Sequence, residues 1–368
     1  MNITQIEVYR ASLVVNPKLA IVSAAGTHPE SQYLVVRIQD DSGVCGFGEA
    51  TLAPVWSGES QGGAEVAIKH ILAPALIGKD PRNIRSLAAE MDRLLIGNPF
   101  TKAAVEMALL DLTARLLSTP LVTLLGGKRR GDAIPLKFSI GAFSPAKAAR
   151  VAAHAVGIGL KSAKVKVGFD LAGDMERVHA VRREVGEQFH IAVDANAGWT
   201  ESEASQAIPA LEKLGVNAFE QPIRRGDFRG CARLRAKTNI PIILDESIFT
   251  AQDAMEALRH DCCDLISLYP GKNGGILRSL AIAEIATASG IECIIGSNLE
   301  MDLGASAMLH LAVAMPALCK TVGHDIIGPL YYEQHLTDTP IHYRDGCAIL
   351  PEGIGLGVRP LCAIKTAI

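Results

Sequence analysis

Three apolar runs of this sequence end in a carboxylate, and a fourth carries a pair of lysines. Asp194 closes "IAVD", Glu220 closes "NAFE", Asp245 closes "IILD", and Lys164 and Lys166 stand two apart in "SAKVKVG". Side chains alternate along a strand, so the two lysines share one face while Val165 and Val167 take the other. In an open antiparallel sheet that lysine face would simply be the solvated one. In a strand covered on both sides the amines lie side by side inside the protein, each disfavours the other's charge, and a neutral lysine becomes available as a base. Three carboxylates gathered nearby would repel one another or take up protons unless a hard divalent cation joined them. An all-oxygen ligand set favours Mg²⁺, with Mn²⁺ as a substitute, over zinc, and leaves positions for water and a substrate oxygen. The plain alternative is three separate ion pairs with neighbouring arginines. A lysine beside such a cation suits removal of a weakly acidic proton α to a carboxylate.

The elements that would bring these residues together follow from spacing. After the glycine- and charge-rich break "LLGGKRRGDAIPL", short β-branched runs alternate with amphipathic helical stretches, and the polar residues that end the runs (166, 194, 220, 245, 269 and 298) are 24 to 29 residues apart. Units of that size build a parallel sheet, closed or open. A polar residue at the end of nearly every run favours the closed barrel, since an open sheet needs only one or two at its switch point. In a barrel the outer face meets helices, so Val165 and Val167 point outward and Lys164 and Lys166 into the mouth. No glycine-rich dinucleotide fingerprint or Walker loop follows any run, so a phosphate cofactor has no support.

The opening forty-odd residues alternate as antiparallel strands around the turn "DDSG", and from about 62 to 118 the pattern turns helical, with Thr101 as a helix cap in "NPFTKAAVEMALLDLTARLL". Two connections, near 16–31 and 50–63, are longer than simple links need. The formal charge of −3 and 49% hydrophobic content describe a globular chain with no footprint for nucleic acid or anionic membrane. With no apolar run of membrane length and no signal peptide at "MNITQIEVYR", a soluble cytoplasmic protein is expected. The eight cysteines lack C-x-x-C spacing and read as reduced packing residues.

Together the K-x-K strand, "VDAN", "EQP" and "DES" resemble the enolase superfamily, in its muconate-lactonising subgroup. Further likenesses run through "GFGEAT", "LAPALIGKDP", "TKAAVEMALLDL", "LVTLLGG", "KNGG" and "IGPL", nearly the whole chain. A lysine or histidine base beside Mg²⁺ is the pattern already described for that superfamily. The resemblance implies a modified TIM (β/α) barrel over 129–328, an N-terminal α+β capping domain over 1–128 whose two long loops form a lid carrying Trp56, and a C-terminal segment, 329–368, returning to the cap. It implies Mg²⁺ on Asp194, Glu220 and Asp245, and Lys166 as base with Lys164 tuning it and holding the substrate carboxylate.

There are departures from the family pattern. Two-base racemases place a second lysine at the end of the sixth barrel strand, where this chain has Tyr269. Lys272, three residues on, matches a further lysine of cycloisomerases and is expected off the inward face. Asn298 stands where cycloisomerases have an apolar residue and shares a strand face with Glu300 by alternation, which suggests a polar substrate group. Dipeptide epimerases show Asp-x-Asp before the Gly-Pro of the last strand, where this chain has only Asp325, beside His324. The expected activity is therefore proton transfer α to a carboxylate through an enolate, in a cycloisomerase of muconate-lactonising type or a one-base syn eliminase. The alternatives are a racemase or epimerase of an N-substituted amino acid, which would use Tyr269 or Lys272 as second base, and a non-catalytic carboxylate-binding protein on the same fold. Asn298, Glu300, Asp325 and Trp56 are the expected substrate contacts, the ligand is a small carboxylate, and a homo-oligomer is expected by analogy with other soluble barrels.

Overall fold

Strands β1 (Ile3–Val14), β4 (Glu30–Asp40) and β5 (Cys45–Leu52) form an antiparallel sheet in the order β1-β4-β5 in the computed structural model, which describes residues 1–361. The helix Pro99–Leu116 lies on this sheet and is buried from Phe100 to Ala114. It can approach because "GFGEA" puts Gly46 and Gly48 beneath it: a Cβ on either would stand 2.3 Å or 2.0 Å from helix carbonyl oxygens of Ala108 and Ala104. Thr101 does not cap this helix as the sequence suggests. Asn98 and Pro99 begin it, and Glu59 from the preceding loop accepts hydrogen bonds from the Phe100 and Thr101 N–H groups and the Thr101 hydroxyl. A carboxylate at a helix N-terminus is favourably placed, and it ties the 50–63 region to the cap.

Neither long connection is a bare loop. The first contains the hairpin β2 (Ile21–Ser23) and β3 (Gly26–His28), and the second contains the helical turn Pro54–Ser57. Strand β6 (Ala133–Pro135) then joins β14 (His342–Arg344) and β15 (Cys347–Ile349) in a small sheet. The C-terminal stretch reaches back to the cap, where the Leu356 N–H donates to Asp111 of the long helix. Residues 362–368, including Cys362, lie outside the described residues. The other seven cysteines are free thiols, five of them buried, as packing residues should be.

Seven parallel strands make the central sheet in chain order: β7 (Phe138–Ile140), β8 (Ser162–Lys166), β9 (His190–Asp194), β10 (Ala218–Glu220), β11 (Ile242–Leu244), β12 (Leu265–Leu268) and β13 (Glu292–Ile295). Four of the helices between them are started by side-chain caps, by capping boxes at Thr200/Glu203 and Thr250/Asp253 and by Asp170 and Asp227. The expected eighth strand around "HDIIGPL" is not a regular strand. Residues 317–325 close the ring by isolated bonds, from Cys293 N–H to Ala317 on one side and from Lys137 N–H to His324 on the other. Inside the ring, Ala192, Ala218, Ile243, Leu265 and Ile294 form one apolar layer, and two residues beyond them stand Asp194, Glu220, Asp245, Ser267 and Gly296. No helix among the described residues is long and apolar enough to cross a membrane.

His324 sits in the closing segment as a buried structural residue. Its Nδ1 accepts from the Ile295 N–H and its Nε2 donates to the Cys319 carbonyl, which fixes a neutral tautomer. Burial and then the neighbouring Lys137 amine lower its pKa from 6.5 to about 3. The unfolded chain therefore binds the additional proton between those limits, so the stability that neutral His324 contributes is complete above about pH 6.5 and is lost as pH falls toward 3. Replacing His324 with Gln should cost most stability near neutrality and progressively less on acidification. Paired urea unfolding curves across pH measure this, and a difference that does not change with pH would refute it.

Candidate active site

Strand register brings the lysines and carboxylates into one row. Lys166 pairs with Asp194 on the neighbouring strand and Asp194 with Glu220 on the next. Glu220 pairs with Ile243, so Asp245, two further on, takes the same inward face one step higher. All five residues are buried, and Val165 and Val167 point away from them into the core.

The amine of Lys166 lies 2.5 Å from Asp194 Oδ2 and 2.8 Å from Asn196 Oδ1. Lys164 donates to both oxygens of Glu220, at 3.0 and 3.1 Å, and to Asp325 Oδ2 at 2.9 Å. Lys272 donates to Asp245 Oδ1 at 2.6 Å and to the carbonyls of Asp245 and Ser267. It is fully buried, and its contact with Asp245 corrects the expectation that it lies off the inward face: the helical turn Pro270–Asn273 follows β12 directly, and from it the amine reaches the Asp245 carboxylate and the Ser267 carbonyl. The ion pairs are thus with lysines and not arginines. Among the described residues no three acidic side chains are already gathered as a metal cage.

Electrostatics decide whether a cation fits. Asp194, Glu220, Asp245 and Asp325 are paired with Lys137, Lys164, Lys166 and Lys272, and two further acids, half-buried Glu246 and buried Glu300, lie close by. Burial raises proton affinity here: it pushes Glu220 up to about 7 despite Lys164, and with Asp245 and Asp194 it pushes Glu246 up to about 8. Asp325 Oδ1, Glu246 Oε2 and the Ser267 and Tyr269 hydroxyls are buried without hydrogen-bond partners, and such groups are rare unless something else satisfies them. A divalent cation on the all-oxygen set Asp194, Glu220 and Asp245 matches the donor chemistry and the crowding of acids in this buried place.

The expected lowering of a lysine pKa is overturned for Lys164. Burial lowers it, but Asp325, Glu220, Asp194 and Asp245 together outweigh burial and hold it well above its ordinary value. Its neighbours are mainly anions, a balance that the Lys-x-Lys spacing alone does not reveal. Tyr269 likewise does not become acidic: burial and then Asp245, Glu300, Glu246 and Glu220 push it well above 10. Its ring packs beneath Trp56 and against Phe100, with centroids 5.9 and 6.2 Å away.

Above Lys164 and Lys166 is a cavity of about 60 Å³, reached also by Asp245, Asn298, Asp325 and Trp56. The hairpin β2–β3 covers it, bonded through the Val22 carbonyl to the Ala142 N–H. Asn298 and Glu300 do not share a strand face. Strand β13 stops at Ile295, Leu299 has φ +62°, and the chain turns so that Glu300 accepts from Ser297 Oγ and the Asn298 N–H, away from the cavity. Left-handed backbone recurs at Asn196, Ala197 and Gln221, all just beyond strand ends, and such strain clusters at functional sites.

Sequence reasoning missed Lys137. Its amine, wholly buried, donates to the Gly323 carbonyl and lies 2.9 Å from Asp325 Oδ2, the oxygen that Lys164 also uses. Alternation in "LKFSIG" puts Lys137 on the face of Ser139, the register partner of Lys164, so the parity argument applied to that run would have found it.

Comparison with known proteins agrees with this architecture. Residues 5–126 match the family description "Mandelate racemase / muconate lactonizing enzyme, N-terminal domain" and residues 146–362 match "Enolase C-terminal domain-like". The chain is 35% identical to L-Ala-D/L-Glu epimerase of Bacillus subtilis, covering 99% of each chain. It is 34% identical to chloromuconate cycloisomerase of Pseudomonas putida, covering 96% of each. The crystal structure of a dipeptide epimerase from Cytophaga hutchinsonii, complexed with Mg and the dipeptide D-Ala-L-Val, superposes with a TM-score of 0.93 at 30% identity, covering 98% of this chain and 97% of that one.

Proposed function

The chain belongs to the mandelate racemase / muconate lactonizing enzyme family of the enolase superfamily, and from that premise we propose that it moves a proton α to the carboxylate of a small acid, on one face of the α-carbon. The observation that carries the one-face reading is the contrast between the amines: Lys164 and Lys166 reach the cavity, whereas Lys272 and Tyr269 are sealed beneath it. Cycloisomerisation of muconate-lactonising type and syn elimination both need one base on one face, and chloromuconate cycloisomerase is among the relatives.

In this reading Asp194, Glu220 and Asp245 would hold Mg²⁺, which when bound would supply positive charge beside the substrate carboxylate. Lys164 remains cationic among its carboxylates and holds a substrate carboxylate oxygen. Lys166, oriented by Asp194 and Asn196, exchanges the α-proton. Trp56 and the hairpin exclude water. Aligned, buried donors of this kind favour developing charge because they need no reorganisation.

Epimerisation is the second reading, favoured by the unpartnered Tyr269 hydroxyl and by the epimerase relatives. One experiment separates them. Incubation of candidate acids in D₂O should give deuterium at the α-carbon, stopped by chelation, restored by Mg²⁺ or Mn²⁺, with configuration retained. Tyr269→Phe should leave that exchange within about threefold of wild type. Inverted product, or loss of one direction of exchange in Tyr269→Phe, would sink the one-face reading.

A further inference from the structure

Outside the barrel mouth, a groove of about 590 Å³ runs between the connection that leads into the hairpin and the helix Pro145–Gly157. That volume lies within the ~300–1,000 Å³ usual for small-molecule sites. Its walls carry Lys18, Lys147, Arg150 and His154, its floor includes the buried Leu19 and Val151, and no acidic side chain lines it. Lys147, Arg150 and His154 recur at three and four along the helix, so they form one stripe, and like charges at that spacing repel. Elsewhere on the surface cations are matched, as Arg82 is by Asp80, Arg233 by Glu201 and Arg235 by Asp264, whereas Lys18, Lys147 and Arg150 have no carboxylate partner among the described residues. The chain as a whole carries −3, so this positive charge is a local concentration. Lys147 is also held in place, its amine 3.7 Å from the centroid of the buried Phe143 ring. Unmatched cations over an apolar floor suit a ligand that brings negative charge on an apolar body.

One wall of the groove is the root of the roof over the lysines. Asn16 folds this connection into a turn, its carbonyl accepting from the Leu19 and Ala20 N–H groups and its side-chain oxygen from the Lys18 N–H, while its own N–H donates to the Tyr331 carbonyl. Three residues beyond Lys18 the chain enters β2, whose Ile21 and Ser23 line the cavity above Lys164 and Lys166. The other wall is the helix that follows β7 and belongs to the barrel. An anion held by Lys18 on one side and by Lys147 and Arg150 on the other therefore ties the two together.

We infer that this groove is a second binding site, for a small organic dianion carrying phosphate or carboxylate groups on a compact apolar body, and that its ligand braces the root of the hairpin against the barrel. Neither the binding nor the brace rests on the proposed α-proton chemistry.

The probes are naphthyl phosphate and naphthalene dicarboxylate, which put the two kinds of anionic group on one apolar body, with naphthol as the neutral counterpart. Calorimetric titration of the Mg²⁺-loaded enzyme should give a dissociation constant below about 1 mM for at least one dianion, with naphthol about tenfold weaker or more. Which dianion binds distinguishes phosphate esters from carboxylates as the natural ligand. Arg150→Glu, at an exposed position, and Lys147→Ala should each weaken that binding by about tenfold or more. At saturation, hydrogen exchange of the backbone amides of residues 20–27 should slow by about threefold or more. No saturable binding of either dianion, equal binding of naphthol, or binding that Arg150→Glu retains within about threefold overturns the inference, the last because it puts the ligand elsewhere. Amide exchange unchanged in the saturated wild type overturns the brace. If the groove binds and the hairpin is protected but no candidate acid exchanges its α-proton, the α-proton reading fails and the groove stands. If α-proton exchange occurs and the groove does not bind, the reverse is true.

Discussion

Replacing Lys166 with alanine is expected to reduce α-deuterium exchange by about a thousandfold or more while leaving the fold intact, within the usual 10²–10⁴ range for a positioned acid–base group. The expectation rests on position. Lys166 reaches the cavity, and its amine is aimed by two fixed partners, Asp194 at 2.5 Å and Asn196 at 2.8 Å. The other amines at the mouth cannot replace it, since Lys164 is fastened to Glu220 and Asp325 and Lys272 is fastened beneath Asp245. Lys166→Arg keeps the charge but not the ability to lose a proton near neutrality, so it should be as inactive as the alanine variant. Mass spectrometric exchange in D₂O with saturating Mg²⁺ measures both, and exchange within tenfold of wild type in either would remove Lys166 from the base role.

Replacing Lys137 with methionine should lower unfolding free energy by about 3–5 kcal/mol, the usual cost of leaving a buried charge without its partner. Asp325 is fully buried, one of its oxygens already has no partner, and the other would retain only Lys164. The carbonyl of Gly323 would lose its donor as well. Adding Asp325→Asn in the Lys137→Met background removes the stranded charge and should recover a good part of the loss. Urea unfolding of wild type, single and double variants measures the coupling. A single-variant cost below about 1 kcal/mol, or no recovery in the double variant, would show that Lys137 does not support Asp325 in this way.

These two lysines differ in how visible they are in the sequence. Lys166 is legible because its information is local: alternation in "SAKVKVG" assigns its face, the 24–29 residue spacing implies the parallel ring, and the ring has no solvated inner face. The same local logic places Asp194, Glu220 and Asp245 at the ends of neighbouring strands, in the register the structure shows. Family motifs such as "GFGEA" are legible for an equally simple reason, since two glycines beneath a helix permit an approach no larger residue allows.

What the sequence leaves open is decided by contacts between residues far apart in the chain. Lys164 is cationic because Glu220 and Asp325, 56 and 161 residues away, converge on it, and no spacing rule counts those anions. Tyr269 and Lys272 are sealed, and Glu300 is turned aside, because the chain bends immediately after β12 and β13, where alternation ceases to apply. Closure of the roof depends on the cap reaching across to the barrel, as Thr51 does to Asn298. By itself the sequence determined which side chains share a face within the strands proper, as Lys164 and Lys166 do, and the repeating rhythm of the parallel ring, because both are periodic properties of a local backbone. Only the tertiary structure decided which charge meets which and how much room remains between them, because those depend on the net balance of buried charges and on packing across the whole ring.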